Sequence, residues 1–318
     1  MSTTTSITTT YAGEFAGKYV AAALLSANTL EKGLITVKPN VKYKETLKRL
    51  SLDDITKNAS CDFDPTSTIT LTERILQPKE LQVNLQLCKK DFRQDWEAVS
   101  MGYSAFDNLP KNFQDYLFGY VASKVAAKNE TNIWSGADAN NGEFDGFESL
   151  LAVDANLPSA QEVSGTTVDS SNVQAEIAKV VDALPSSLYG RDDLMIYVSQ
   201  NVYKAYVRAL AGYGTSGLGA NGVNGQGNLW YSNGQNLTFD GIPVVLCNGM
   251  SANTMICTYK ENLYFGTGLL ADHNEVKLID MADIDGSQNV RVVMRFTAGV
   301  QYSVVEDIVT YGITNSAN

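Results

Sequence analysis

The chain has 318 residues, 44% of them apolar and 19% charged, a balance that supports a sizeable buried core and excludes disorder over most of its length. Its net charge of −11 weighs against sequence-specific nucleic-acid binding, because phosphate neutralisation supplies most of that affinity. No apolar run approaches the ~20 residues of a membrane helix, and the Thr/Ser-rich start at Met1 lacks the basic and apolar regions of a signal peptide.

In chain order, residues 1–10 read as the tip of a flexible arm, and residues 11–30 as Ala-rich and weakly helical. Residues 1–57 hold eight Lys/Arg and five Asp/Glu, a net of +3 that leaves −14 on the remainder. A basic extension on an acidic body suits contact with another acidic surface. From 41 to 91 the pattern alternates: Ile69, Leu71 and Ile75 around Thr70 and Thr72, then Leu81, Val83, Leu85 and Leu87. That is a β-type excursion, punctuated by Pro65 and Pro78.

The strongest helix follows. Asn108 can cap it and Pro110 suits its first turn, while Phe113, Tyr116, Leu117, Tyr120 and Val121 keep the spacing of one buried stripe. It should run over 109–134, about 39 Å at 1.5 Å per residue, until Gly136 stops it. A second helix should open on a capping box of Ser171 and Gln174 and bury Val173, Ile177, Val180, Val181 and Leu184. After a buried strand at Leu194–Val198, Ser199 should cap a helix with Val202, Tyr203, Tyr206, Val207 and Leu210 on one face. Strands are then expected at 242–247, 255–259, 276–279, 290–296 and 300–305. The fold class is α+β.

Chemistry is hard to find in this order. The single histidine, His273, lies in an Asp-His-Asn turn with no nucleophile elbow anywhere, so a surface turn is expected and no catalytic residue is assigned. Residues 212–217 match G-x-G-x-x-G, but a helix precedes them and Gly219, Gly222, Gly225 and Gly227 follow, so they read as a long loop without a cofactor. Asp283, Asp285 and Gly286 make a hairpin turn, because a calcium loop would need a glutamate at its twelfth position. Cys61, Cys88, Cys247 and Cys257 have no metal-ligand spacing and read as reduced thiols.

Several tracts taken together resemble tailed-phage major capsid proteins. They are IAKVVDALP at 177–185 running to GRDDL at 190–194, FDGIPVV at 239–245 with KENLYFG at 260–266, and NVRVVMRF at 289–296 with GVQY and EDIV beyond. LTER at 71–74, PKEL at 78–81 and CKKDF at 88–92 belong to the same pattern, and the resemblance covers roughly residues 40–312.

The resemblance implies the Hong Kong 97-type shell fold. It would have an N-terminal arm (1–40), an extended loop (41–95), a peripheral domain (96–170) with its spine helix at 109–134, an axial domain (171–275) and terminal strands returning to the peripheral domain (276–318). It implies a virion capsid subunit made in the host bacterial cytoplasm. Copies would self-assemble as hexamers and pentamers into an icosahedral head around double-stranded DNA, held without sequence specificity. Portal and scaffolding proteins and a decoration protein are the implied partners; with the chain starting just before the arm, scaffolding would be a separate protein. No cofactor and no membrane are implied. Lys42, Lys44, Lys48 and Arg49 concentrate positive charge where the excursion begins and are the candidate intersubunit contacts, in a region (1–95) the body should not need for its own stability. Two alternatives share the composition: an encapsulin-like nanocompartment shell, and a carboxylate-based soluble enzyme of the glycoside-hydrolase kind.

Overall fold

The structure, a computed structural model, describes residues 28–52, 56, 58, 59, 61, 69–88, 111–210, 237–268 and 277–317. The arm tip, the glycine-rich tract 212–234 and His273 lie outside these residues, as do the side chains of Phe113, Tyr116, Leu117 and Tyr120.

Three sheets organise the described residues. The first is built on β12 (Asn289–Tyr302), whose alternation buries Val290, Val292, Met294, Phe296 and Ala298 and turns Arg291 and Arg295 outward. One side of β12 pairs with β11 (Lys277–Asp280) and β10 (Leu263–Thr267), and β10 pairs in parallel with β1 (Thr36–Pro39). The other side pairs with β4 (Lys79–Cys88) over ten residues, from Asn289↔Cys88 to Ala298↔Lys79. The second sheet has six strands in the order β5 (Glu162–Val163), β13 (Val309–Tyr311), β9 (Met255–Tyr259), β6 (Leu194–Val198), β8 (Ile242–Leu246) and β7 (Leu237–Phe239). The third is a two-stranded ribbon of β2 (Glu45–Leu52) and β3 (Ile69–Leu76).

Helices cover these sheets. After the single turn α1 (Asn28–Glu31), α2 runs Lys111–Ser135 and buries Val121, Val125 and Ile133 against the first sheet's core. It stops where Gly136 meets the next segment: a Cβ there would lie 2.5 Å from the Phe144 carbonyl oxygen. The short α3 (Phe147–Leu151) brings Phe147 within 5.3 Å of the Trp134 ring, and Trp134 lies 5.3 Å from Tyr197 of β6. One face of the six-stranded sheet thus shares a core with the first sheet, while its other face packs α4 (Val173–Asp182) and α5 (Gln200–Leu210). Strand β6, apolar on both faces, is what this sandwiching requires. Among the described residues no helix is long and apolar enough to cross a membrane.

Several sequence expectations need correction. Ser171 and Gln174 do not form a capping box. The helix opens one residue later, on Asn172, and the Ser171 amide (2.7 Å) and hydroxyl (2.5 Å) both donate to the Asp169 carboxylate, an ionised acceptor that holds the serine outside the capping position. The two strands expected at 290–296 and 300–305 are one, because Ala298 and Gly299 interrupt the apolar pattern without interrupting the ladder. The 283–286 turn does join an antiparallel hairpin, through the helical turn α6 (Ala282–Asp285) and a left-handed Gly286 (φ 72°).

Strand pairing also crosses the expected domain limits. Within 171–275, β10 belongs to the first sheet; within 276–318, β13 pairs with β9 of the second. Alternation reveals a strand but not its partner. Residues 28–41 are likewise not a detachable arm. Leu30, Leu34 and Ile35 lie in the main core, and the Tyr197 hydroxyl donates to the Leu34 carbonyl at 2.8 Å. With β4 in the ten-residue ladder, parts of residues 1–95 are built into the sheet and core of the body.

Candidate assembly interface

The ribbon β2–β3 pairs from Glu45↔Leu76 at its root to Leu52↔Ile69 at its far end. Side chains alternate across such a pair, so the two faces can be assigned from the register. Leu47, Arg49, Arg74 and Leu76 occupy the inner face, and Lys48, Leu71, Glu73 and Ile75 the outer face, with Ile69 beyond.

The inner face is held to the body. Leu47 and Leu76 are buried at the root, where Leu76 lies over Gly266. Farther along, Arg74 places Nη2 2.5 Å from Asp154 Oδ2 and stacks its guanidinium 4.6 Å from the Tyr302 ring centroid. The Tyr302 hydroxyl donates to the same Asp154 oxygen at 2.6 Å. Burial pushes the Asp154 carboxyl up, but donation from Tyr302, the Asn156 amide and Arg74 outweighs it and holds the group below the usual carboxylate range. Burial and the hydrogen bond to Asp154 push the Tyr302 phenol far up, so it stays a donor. Nearer the far end, Arg49 Nη1 lies 2.5 Å from Glu306 Oε2.

The outer face is open and apolar. Ile69 is 63% exposed, Leu71 56% and Ile75 51%, and Lys48 stands opposite Glu73 in the register. Single exposed apolar residues are commonplace, whereas three on one face of one strand make a candidate surface for association.

The four basic residues expected as contacts are thus not equivalent. Lys42 and Lys44 precede the ribbon and are exposed, with Lys44 5.4 Å from the Tyr43 ring centroid. Lys48 is exposed on the outer face, while Arg49 points inward to its own subunit's Glu306. Sequence reading found the alternation of Ile69, Leu71 and Ile75 but gave no sign that this face lies outward. It missed Arg74, Asp154 and Glu306 altogether, because partners 80 or more residues apart leave no local pattern.

Among the described residues no cluster of His, Cys, Asp and Glu is arranged to hold a metal ion. An open polar depression of about 530 Å³ between residues 162–167, 252–253 and 312–314 is lined largely by backbone and small side chains, with no convergent charge.

No protein-family model matches the chain, and no curated protein matches it by sequence. Solved structures do match its fold. The capsid of a native GTA particle aligns with a TM-score of 0.61 over 92% of this chain and 90% of that one, at 14% identity. A chain of the satellite phage P4 procapsid, a particle that includes the size determination protein, aligns at 0.57 over 99% and 93%, with 11% identity. The capsid of cyanophage P-SCSP1u aligns at 0.51 over 90% and 88%, with 14% identity. With that agreement over nearly the whole length of each chain, two packed sheets, a long helix and a projecting ribbon identify the α+β architecture as the Hong Kong 97-type capsid fold.

Proposed function

We propose that this chain is a major capsid protein, a shell subunit that assembles as hexamers and pentamers into the icosahedral head enclosing phage double-stranded DNA. The observation that carries the reading is the ribbon: held on its inner face, it offers Ile69, Leu71 and Ile75 outward with no cover from the described residues. A second copy is the occupant that a repeating shell supplies in every subunit, so weak contacts add up through multivalency. Lys48 on that face, with Lys42 and Lys44 exposed just before the ribbon, would meet the acidic body of a neighbour. Portal and scaffolding proteins and a decoration protein belong to this reading as partners, and the head within the host cytoplasm as its place of assembly. The full-length likeness to capsid subunits supports a structural role over an enzymatic one.

The test is electron microscopy of the chain expressed with its neighbouring genes. Closed icosahedral shells containing DNA are expected; shells filled with a cargo enzyme would favour an encapsulin-like compartment, and a monomer under all conditions would overturn both readings. Lys42→Glu, Lys44→Glu and Lys48→Glu together should leave subunit melting near normal and make assembly poor and salt-sensitive.

A further inference from the structure

We propose that Asp154, Tyr302 and Glu306 form an electrostatic catch that fixes the pose of the β2–β3 ribbon on its own subunit, with Arg49 and Arg74 as its two pins. The ribbon's register places both arginines on the same face as the two buried leucines. From the root outward the order is Leu76, then Leu47 beside Arg74, then Arg49. Apolar anchoring therefore ends within the first few residue pairs, and the hold beyond it is ionic. A two-stranded ribbon is marginal by itself, so its orientation depends on what grips that inner face.

Both acceptor residues are also held by the body through bonds that do not involve the ribbon. Asp154 takes the Tyr302 hydroxyl at 2.6 Å and the Asn156 amide at 2.9 Å, and its carbonyl accepts Asn315 Nδ2 at 2.7 Å. The Glu306 carbonyl accepts Gln161 Nε2 at 2.7 Å. The two pins differ in depth: the Asp154 side chain is 7% exposed and that of Glu306 46%. The inner pin is thus shielded, while the outer one is open to screening by salt. With its inner face gripped, the ribbon cannot roll Ile69, Leu71 and Ile75 onto its own subunit. The apolar face is presented outward, ready for a neighbour, which lowers the ordering that association must otherwise impose. This last step rests on the shell-subunit reading; the catch itself does not.

Hydrogen exchange on the full, unassembled chain tests the catch. Arg49→Glu and Glu306→Gln should each speed exchange of the β2 and β3 amides several-fold without changing β12, and the exchanged pair Arg49→Glu/Glu306→Arg should bring the parental rates back. Raising salt should speed the parent's outer ribbon amides and leave the Glu306→Gln variant unmoved. Unchanged ribbon exchange in both single variants, failure of the exchanged pair to restore it, or equal acceleration in β12 would overturn the catch. Shell yield is read separately. Variants with a loosened ribbon should assemble several-fold more slowly, and parental yield from a loosened ribbon overturns the presenting role while leaving the catch. A parent that forms no shells under any condition sinks the shell-subunit reading, with the exchange result intact.

Discussion

Gly266 and Gly299 stand opposite each other across β10 and β12, and the space above both is filled by the root of the ribbon. A Cβ on Gly266 would lie 2.9 Å from Leu76 Cδ2, and one on Gly299 would lie 2.9 Å from Pro78 Cα. Cross-strand partners point to the same face, so the pair makes a smooth floor over which residues 76–78 cross from the ribbon into β4.

The two obstructions differ in kind, which orders the effects of alanine. Leu76 can shift a side-chain rotamer, whereas Pro78 is backbone. Gly299→Ala should destabilise by ~1–3 kcal/mol, typical of overpacking. Gly266→Ala should cost less, because the Leu76 side chain can give way where the Pro78 backbone cannot. Denaturant titration of both variants checks this, and a larger loss at Gly266 would refute the account.

How much of this was legible beforehand depends on the range of the interaction. The helix expected over 109–134 corresponds to Lys111–Ser135, and the strands expected at Leu194–Val198 and Met255–Tyr259 stand at those bounds, because local periodicity and capping signals suffice there. The strand Leu263–Thr267 went unread as a strand, since Gly266 breaks its pattern for the sake of Leu76, a residue far away in sequence. The ribbon shows the same limit at the site. Its strands were visible, but which face is gripped depends on Asp154 and Glu306. The apolar alternation of Ile69, Leu71 and Ile75, which usually marks a core face, here marks an exposed one.

Thr29 and Glu130 tie the segment before β1 to the long helix. Glu130, 4% exposed, accepts the Thr29 amide at 3.0 Å and its hydroxyl at 2.6 Å, and Trp134 Nε1 donates to Thr29 Oγ1 at 2.8 Å. Glu130→Ala strands a buried amide and hydroxyl, so a loss of ~2–4 kcal/mol is expected. The effect should localise: limited proteolysis should cut residues 28–41 faster in this variant while Glu130→Gln, which keeps an acceptor, shows a smaller change. Equal cleavage in parent and Glu130→Ala would refute it.

The cysteines divide by burial. Cys247 and Cys257 are fully buried, and burial pushes both thiols up, far from the reactive thiolate. Cys61 is exposed and Cys88 half-buried. A thiol reagent applied to the native chain near pH 8 should label Cys61 first and Cys88 more slowly. Cys247 and Cys257 should be labelled only on unfolding; mass spectrometry showing early modification of either would count against the packing described.

Glu143 closes the turn after the long helix and should make it sensitive to acid. Its carboxylate pairs with Lys128, and accepts Asn140 Nδ2 at 3.0 Å and the Ala137 amide at 3.1 Å. The Lys128 hydrogen bond, then those from Asn140 and Ala137, lower its pKa to about 2. The folded value lies below the unfolded one, near ~4.3. The charged form is therefore what folding favours: its contribution is complete above about pH 5 and is lost as pH falls towards 2. Lys128 is half exposed, so solvent screening reduces the effect to ~1 kcal/mol. Glu143→Gln removes the charge while keeping an acceptor for the Ala137 amide. The variant should be less stable than the parent at pH 7, and the gap should close between pH 5 and pH 2. Denaturant titrations at pH 7 and pH 2.5 decide it: a gap that persists in acid would mean that Glu143 acts by shape or hydrogen bonding and not by its charge.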